Sequence, residues 1–181
     1  MGICVFIMGR QRAGKDTAAD YLVEHYGFEK GQLARPVYEI ARQVFGMQGK
    51  DRGLLIQIGV KMREIDPLVF PKALWRRALG VEAQAEVDAG KAALPADMRL
   101  VITDARFANE WDFFKSRGGV ALRIKASQQV RSQRSGYHLE YENDPTETQL
   151  DTAAADYVIT NEGSLADYYA ALDEFMGRLL A

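Results

Sequence analysis

The chain of 181 residues has one cysteine and two histidines, so no intrachain disulfide can form and no cysteine cluster is available to hold a metal. A reducing cytoplasm suits such a sequence, and Cys4, inside the apolar run ICVFIM, is expected to be a buried, inert thiol. Long hydrophobic runs are also missing. ICVFIM is too short for a membrane span and lacks the basic flank and cleavage site of a signal peptide. Positive charge is not in excess either: 23 Lys and Arg against 25 Asp and Glu give a formal net charge of -2. A nucleic-acid binder would therefore have to concentrate its basic residues locally, and no basic stripe does so. Neither G-x-S-x-G nor H-E-x-x-H occurs. What remains is 48% hydrophobic and 27% charged, ordinary for a globular protein of one domain with a real core.

Ile3 to Met8 form a continuous apolar run ended by Gly9, as in a strand buried on both faces of a parallel sheet. From Lys15 to Tyr26 the pattern becomes helical, with Ala18, Tyr21, Leu22 and Tyr26 on one face and Gly27 as the stop. FEKGQLA (28–34) is a weaker strand candidate. Pro36 opens a helix whose Val37, Ile40, Ala41, Val44 and Phe45 share a face, closed by Gly46. Lys50 to Leu94 reads as two or three helices broken by DPLVFP and Gly80, a helical insertion without a convincing strand. MRLVITD returns to a buried strand ending at Asp104, followed by a helix from Ala108 or Asn109 to about Arg117. VALRIKA is a further strand, residues 127–151 form a polar segment, and ADYVITN supplies the last strand. Ser164 caps a final amphipathic helix with Leu165, Tyr168, Tyr169, Leu172, Phe175, Met176 and Leu179 on its apolar face. Five strands alternating with helices predict an α/β fold with a mostly parallel sheet covered on both faces. Trp75 and Trp111, at helical spacings with apolar neighbours, are expected to pack rather than to stack on bases.

The stretch GRQRAGKDT sits between the first strand and the first helix, the context that G-x-x-x-x-G-K requires. Gly9 and Gly14 let the backbone wrap a polyphosphate with its N–H groups inward. The helix N-terminus and Lys15 supply positive charge for the phosphates. Asp16 stands where a hydroxyl is usual. As a hard oxygen ligand it can hold Mg²⁺ directly or through water, or it can simply be a first-turn acid favoured by the helix dipole, and Thr17 beside it can donate to a phosphate.

Asp104, at the carboxyl end of a central strand, is placed for Mg²⁺, for an acceptor hydroxyl, or for both. Arg106 can clamp a phosphate with its fork of donors, although a surface Asp–Arg pair or a helix cap gives the same pattern. Arg35, at the same rim of the sheet, is a second candidate for a substrate phosphate. Arg63 is a third, against a solvated helix face. Arg131 and Arg134 lie in the polar segment, where a cover could bring charge over transferring phosphoryl oxygens or a solvated helix could carry them unused. His138 and Glu147 share that segment without metal-ligand spacing.

Taken together, GRQRAGKDT, LARPVYEIAR, VITDARFANE, RSQRSGYHLEYENDPTETQLD and DYVITNEGSL resemble the phage-type deoxynucleoside monophosphate kinases of the P-loop nucleoside monophosphate kinase superfamily. The likeness spans nearly the whole chain, and its most specific pieces are G-x-x-x-x-G-K-D-T and D-x-R-F-x-N-E. It implies a P-loop three-layer α/β/α fold: core over 1–49, 95–126 and 152–181, a helical acceptor-binding insertion over about 50–94, and a lid over about 127–151. It further implies transfer of the ATP γ-phosphate to a deoxynucleoside monophosphate with Mg²⁺. Gly9, Arg12, Ala13, Gly14, Lys15, Asp16 and Thr17 would then serve ATP, with Asp16 and also Asp104 open to the metal, and Asn161 would border adenine. Asp104 and Arg106 would face the acceptor, Arg35 and Arg63 its phosphate, and Arg131 and Arg134 would be lid arginines. The expected partners are these small molecules, without nucleic acid or membrane, and a homodimer is the oligomer left open. A kinase of another small metabolite, such as phosphomevalonate or dephospho-coenzyme A, and a nucleotide-binding regulatory ATPase are the alternatives.

Overall fold

A computed structural model describes residues 2–80, 85, 87, 93–134 and 148–181. His138 and Glu147, the central part of the polar segment and the end of the helical insertion fall outside the described residues. Five strands form one fully parallel sheet: β1 (Ile3–Met8), β2 (Glu29–Gly31), β3 (Arg99–Ile102), β4 (Val120–Lys125) and β5 (Tyr157–Thr160), in the order β2-β3-β1-β4-β5. β1 is central, with Val5 facing Val101 of β3 on one side and Val120 of β4 on the other.

Residue alternation along β1 divides the core into two. Cys4, Phe6 and Met8 point to a cluster with Phe70, Trp75, Phe113 and Phe114. Val5 and Ile7 point to the opposite face, against α1 (Lys15–Tyr26) and α7 (Leu165–Leu180), where Ala18, Ala19, Leu22, Leu172, Phe175 and Met176 are buried. The result is three layers, and it explains why the central strand β1 reads as a continuous apolar run. Trp75 is fully buried edge-on to Phe113, and Trp111 packs at the margin with its Nε1 donating to the Ala154 carbonyl at 3.1 Å. Both tryptophans are packing residues. Burial pushes the Cys4 thiol up to about 12, so it stays protonated and inert.

α2 (Arg35–Gln43) follows β2 directly, and α3 (Arg52–Ile65) and α4 (Val69–Leu79) follow in turn before β3. Asp51 caps α3 by accepting from the Leu54 N–H at 3.0 Å. The break expected over DPLVFP is confined to Asp66–Leu68, because Pro71 sits in the first turn of α4, where its missing N–H costs nothing. Asp66 closes that turn, accepting from the Leu68 N–H and from Lys72 Nζ at 2.8 Å each. α5 (Ala108–Lys115) and the short α6 (Gln128–Gln133), capped by Ser127, complete the described helices.

Three details differ from the sequence expectation. β2 stops at Gly31 and β3 at Ile102, because the backbone and side chains beyond them bond across to each other and to α1 rather than continuing the ladder. α2 ends at Gln43, leaving Val44 and Phe45 exposed instead of on the buried face. Leu165, expected on the apolar face of α7, is exposed.

Candidate active site

Between β1 and α1 the backbone must turn through conformations that side chains resist. Gly9 has φ +148 and its missing Cβ would lie 2.3 Å from the Ile124 carbonyl oxygen, so only glycine lets the loop press against β4. Gly14 has φ +109, and Arg12 itself adopts φ +65. The loop and the first turn of α1 floor a cavity of about 760 Å³. Arg12, Gly14, Lys15, Asp16 and Thr17 line it from below, Thr103, Asp104 and Arg106 from the end of β3, and Asn161, Gly163, Leu165 and Tyr168 from the far side. Lys15 Nζ folds over its own loop, donating to the Gly9 carbonyl at 2.7 Å and the Arg10 carbonyl at 3.1 Å. Asp16 Oδ1 accepts from Thr103 Oγ1 at 2.9 Å, which ties the start of α1 to the end of β3.

A second cavity, of about 640 Å³, runs along α2 and is lined by Gln32, Ala34, Arg35, Tyr38, Glu39 and Arg42. Thr103 and Asp104 line both cavities, so the two meet at the carboxyl end of β3. The Asp104 carboxylate accepts from the Leu33 N–H at 3.1 Å and the Ala34 N–H at 3.0 Å, holding the β2–α2 turn in place. Burial raises the Asp104 pKa, opposed by those two N–H groups and by the charge of Arg106.

Residues 3–65, from β1 through α3, match the family model of deoxynucleotide monophosphate kinase. The fold is shared over nearly full length with solved kinases. One is shikimate kinase from Aquifex aeolicus vf5, with TM-score 0.53, 16% identity, and 100% of this chain and 99% of that chain covered. Another is a gluconokinase from Sinorhizobium meliloti 1021, with TM-score 0.52, 16% identity, and 98% and 95% covered. The chain is a P-loop kinase. A relative from Acanthamoeba polyphaga mimivirus, named "Putative deoxynucleotide monophosphate kinase", is 23% identical to this kinase over 202 residues, spanning 94% of each. The resemblance carried by the sequence motifs is met by the family match and by this relative.

The kinase holds its phosphate loop from behind with side chains of distant elements. Asn161, buried after β5, donates Nδ2 to the Ala13 carbonyl at 2.9 Å, and Tyr168 of α7 donates its hydroxyl to the Gly14 carbonyl at 3.0 Å. Arg131 is buried, its Nε donating to the Ala126 carbonyl at 3.2 Å and a terminal nitrogen to the Gln11 carbonyl at 3.3 Å. Arg134 reaches the Ala13 carbonyl at 3.2 Å and the Asn161 carbonyl and Oδ1 at 2.8 and 3.0 Å, while still lining the loop cavity. Neither arginine is an idle solvated group. Both bond to backbone of the loop.

In the second cavity, Arg35 lines the wall along α2 and pairs with Glu39 at 2.8 Å. Arg63 lines neither cavity. It is clamped 3.2 Å from Glu110 of α5, with the rings of Phe70 and Phe107 each 4.5 Å from its guanidinium carbon, which also sets aside the solvated-face reading. Thr103, Tyr168, Glu110 and Leu165 are site or support residues that sequence reasoning missed. Thr103 and Glu110 stood inside VITDARFANE and carried a signal. Tyr168 and Leu165 were absorbed into an amphipathic stripe, where period alone cannot separate a core residue from a cavity wall.

Among the described residues no helix is long and apolar enough to cross a membrane.

Proposed function

We propose that this kinase transfers the γ-phosphoryl group of ATP to a (deoxy)nucleoside monophosphate. The observation that carries the proposal is the pair of cavities sharing Thr103 and Asp104 as a common wall, one floored by the phosphate loop and the other flanked by the arginines of α2. A donor held in the first and an acceptor held in the second would present their phosphates to each other at the end of β3.

The loop's backbone N–H groups and the α1 N-terminus bind the ATP phosphates, and Lys15 swings its ammonium from the Gly9 and Arg10 carbonyls onto them. Asp16, Thr17, Thr103 and Asp104 gather carboxylate and hydroxyl oxygens on one wall, a hard donor set that suits Mg²⁺ shared with substrate phosphates. Bound there, the ion would neutralise charge building on the β and γ phosphates. Asn161, Gly163 and Leu165 border the adenine end of the cavity. Arg35 from the second cavity and Arg106 from the wall of the first orient the acceptor monophosphate where the two cavities meet, with Asp104 keeping the turn that carries Arg35 in register. One acceptor phosphate oxygen attacks the γ-phosphorus, the bond to the β–γ bridging oxygen breaks, and ADP leaves. That acceptor oxygen is already anionic at neutral pH, so no strong base is required and positioning dominates. Arg131 and Arg134 contribute by fixing the loop, and Arg134 also lends its charge to the cavity. Such a reaction belongs in the cytoplasm, where both substrates are found.

A coupled ADP-release assay across the natural nucleoside and deoxynucleoside monophosphates tests the proposal. Turnover with at least one of them is expected. Silence with all, together with turnover of phosphomevalonate, dephospho-coenzyme A or another small metabolite, would overturn it, and ATPase activity that no acceptor stimulates would favour a regulatory ATPase.

A further inference from the structure

The block D-x-R-F-x-N-E begins at Asp104, and each polar side chain after the arginine reaches toward the helical insertion. Asn109 donates Nδ2 to the Pro67 carbonyl in the α3–α4 turn at 2.8 Å. Glu110, only 1% exposed, divides its carboxylate between two elements. Oε2 accepts from the backbone N–H groups of Arg106 at 2.8 Å and Phe107 at 3.2 Å, and Oε1 accepts from Arg63 of α3 at 3.2 Å. Arg63 is otherwise incompletely satisfied: its Nε is buried without a hydrogen-bond partner among the described residues, and its contact to the Gly59 carbonyl is long at 3.4 Å. About a third of the side chain, 32%, remains accessible.

We propose that Glu110 is a positioning residue for the acceptor phosphate, one buried carboxylate that holds Arg63 and the Arg106 loop in fixed relation. A bare salt bridge would not need the same carboxylate to cap the backbone of the second arginine. The rings of Phe70 and Phe107 each lie 4.5 Å from the Arg63 guanidinium carbon, so packing as well as the ion pair to Glu110 holds the side chain in place. Loss of the carboxylate would free Arg63 from α5 and release the Arg106 and Phe107 amides together, so that Arg106, on the cavity wall, loses its support from the helical insertion in a single step. The proposal rests on the assignment of Arg106 to the acceptor phosphate, with Arg63 as the brace that ties Glu110 to α3.

A double-mutant cycle of Glu110→Gln and Arg63→Met tests it, read as the KM for the best deoxynucleoside monophosphate alongside the KM for ATP. Glu110→Gln should raise acceptor KM by about tenfold or more while ATP KM stays within about twofold. The double variant should be no worse than the poorer single one. Unchanged acceptor KM in Glu110→Gln, an equal rise in ATP KM, or effects that multiply in the double variant would overturn the proposal. If Glu110→Gln does not fold, Glu110→Asp, which keeps the charge one methylene short, takes its place with the same criteria. Wild-type silence with every nucleoside monophosphate would strike the nucleotide assignment alone, and the cycle is then read with the phosphorylated metabolite that the wild type does turn over.

Discussion

Gly14→Ala, measured against Gly27→Ala, isolates what the phosphate loop demands of its last residue. The two glycines bound the same helix, and both adopt positive φ, +109 and +67. At Gly27 an added Cβ meets nothing within 4 Å, so the substitution carries only the left-handed backbone cost, about 1 kcal/mol. At Gly14 the same Cβ would stand 2.4 Å from Asn161 Nδ2 and 3.4 Å from the ring and hydroxyl of Tyr168. Asn161 cannot hold its place, and its 2.9 Å bond to the Ala13 carbonyl is lost inside the protein. An unsatisfied buried pair adds about 1–3 kcal/mol, for a total of about 2–4 kcal/mol. At about 2–4 °C per kcal/mol for a chain of this size, Tm should fall by about 4–16 °C for Gly14→Ala against about 2–4 °C for Gly27→Ala. Differential scanning calorimetry reads the first difference and ATP KM the second. Gly14→Ala should weaken ATP even below its Tm, whereas Gly27→Ala should not. Equal Tm losses, or a Gly14→Ala enzyme with wild-type ATP KM, would refute the close packing of Asn161 on the loop as the reason for glycine.

The sheet was legible because its central strands are buried on both faces and so announce themselves as apolar runs with β-branched residues, as in ICVFIM and VALRIK. Their parallel pairing followed from the alternation with helices. The short edge strand β2 was legible only in outline. Of FEKGQLA three residues pair, because Asp104, 70 and 71 positions away, takes the N–H groups of Ala34 and Leu33. No local pattern encodes a competitor that distant. For the same reason Val44 and Phe45 kept the helical period and yet are exposed: the helix they extend ends before them, which periodicity does not register.

In the site, the residues with a backbone motif were readable and those acting through tertiary bonds were not. Gly9, Gly14 and Lys15 are constrained by phosphate geometry that leaves a fixed spacing in the chain. Asp16 was singled out as a departure, and its partner Thr103 lies eighty-seven residues on, so the bond between them emerges only from the fold. In the sequence Arg131 and Arg134 stand out by charge, which suits a cover for phosphates. Their bonds to Gln11, Ala13 and Asn161 give them a further part, bracing the loop, that charge alone does not suggest.

Lys15→Ala should reduce turnover by at least about a hundredfold while leaving the circular dichroism spectrum near wild type, since the ammonium bonds its own loop's carbonyls from a partly exposed position. Wild-type turnover in that variant would remove Lys15 from the site. Asp104 makes a prediction in pH. Burial raises its folded-state pKa above the unfolded value, so the folded protein holds the proton more tightly. Its contribution is fully present below the unfolded carboxylate pKa of about 3.9 and is lost as pH rises through the higher folded value. Asp104→Asn removes this linkage, although its amide replaces only one of the two oxygens that accept from Leu33 and Ala34. Relative to the variant, the wild type should therefore lose stability as pH rises from about 4 through the raised folded-state value, then run parallel to it. Chemical denaturation of both proteins without nucleotide measures that difference. A difference that is flat across the window, or that grows in favour of the wild type, would mean that the N–H groups of Leu33 and Ala34 and the charge of Arg106 outweigh desolvation at Asp104.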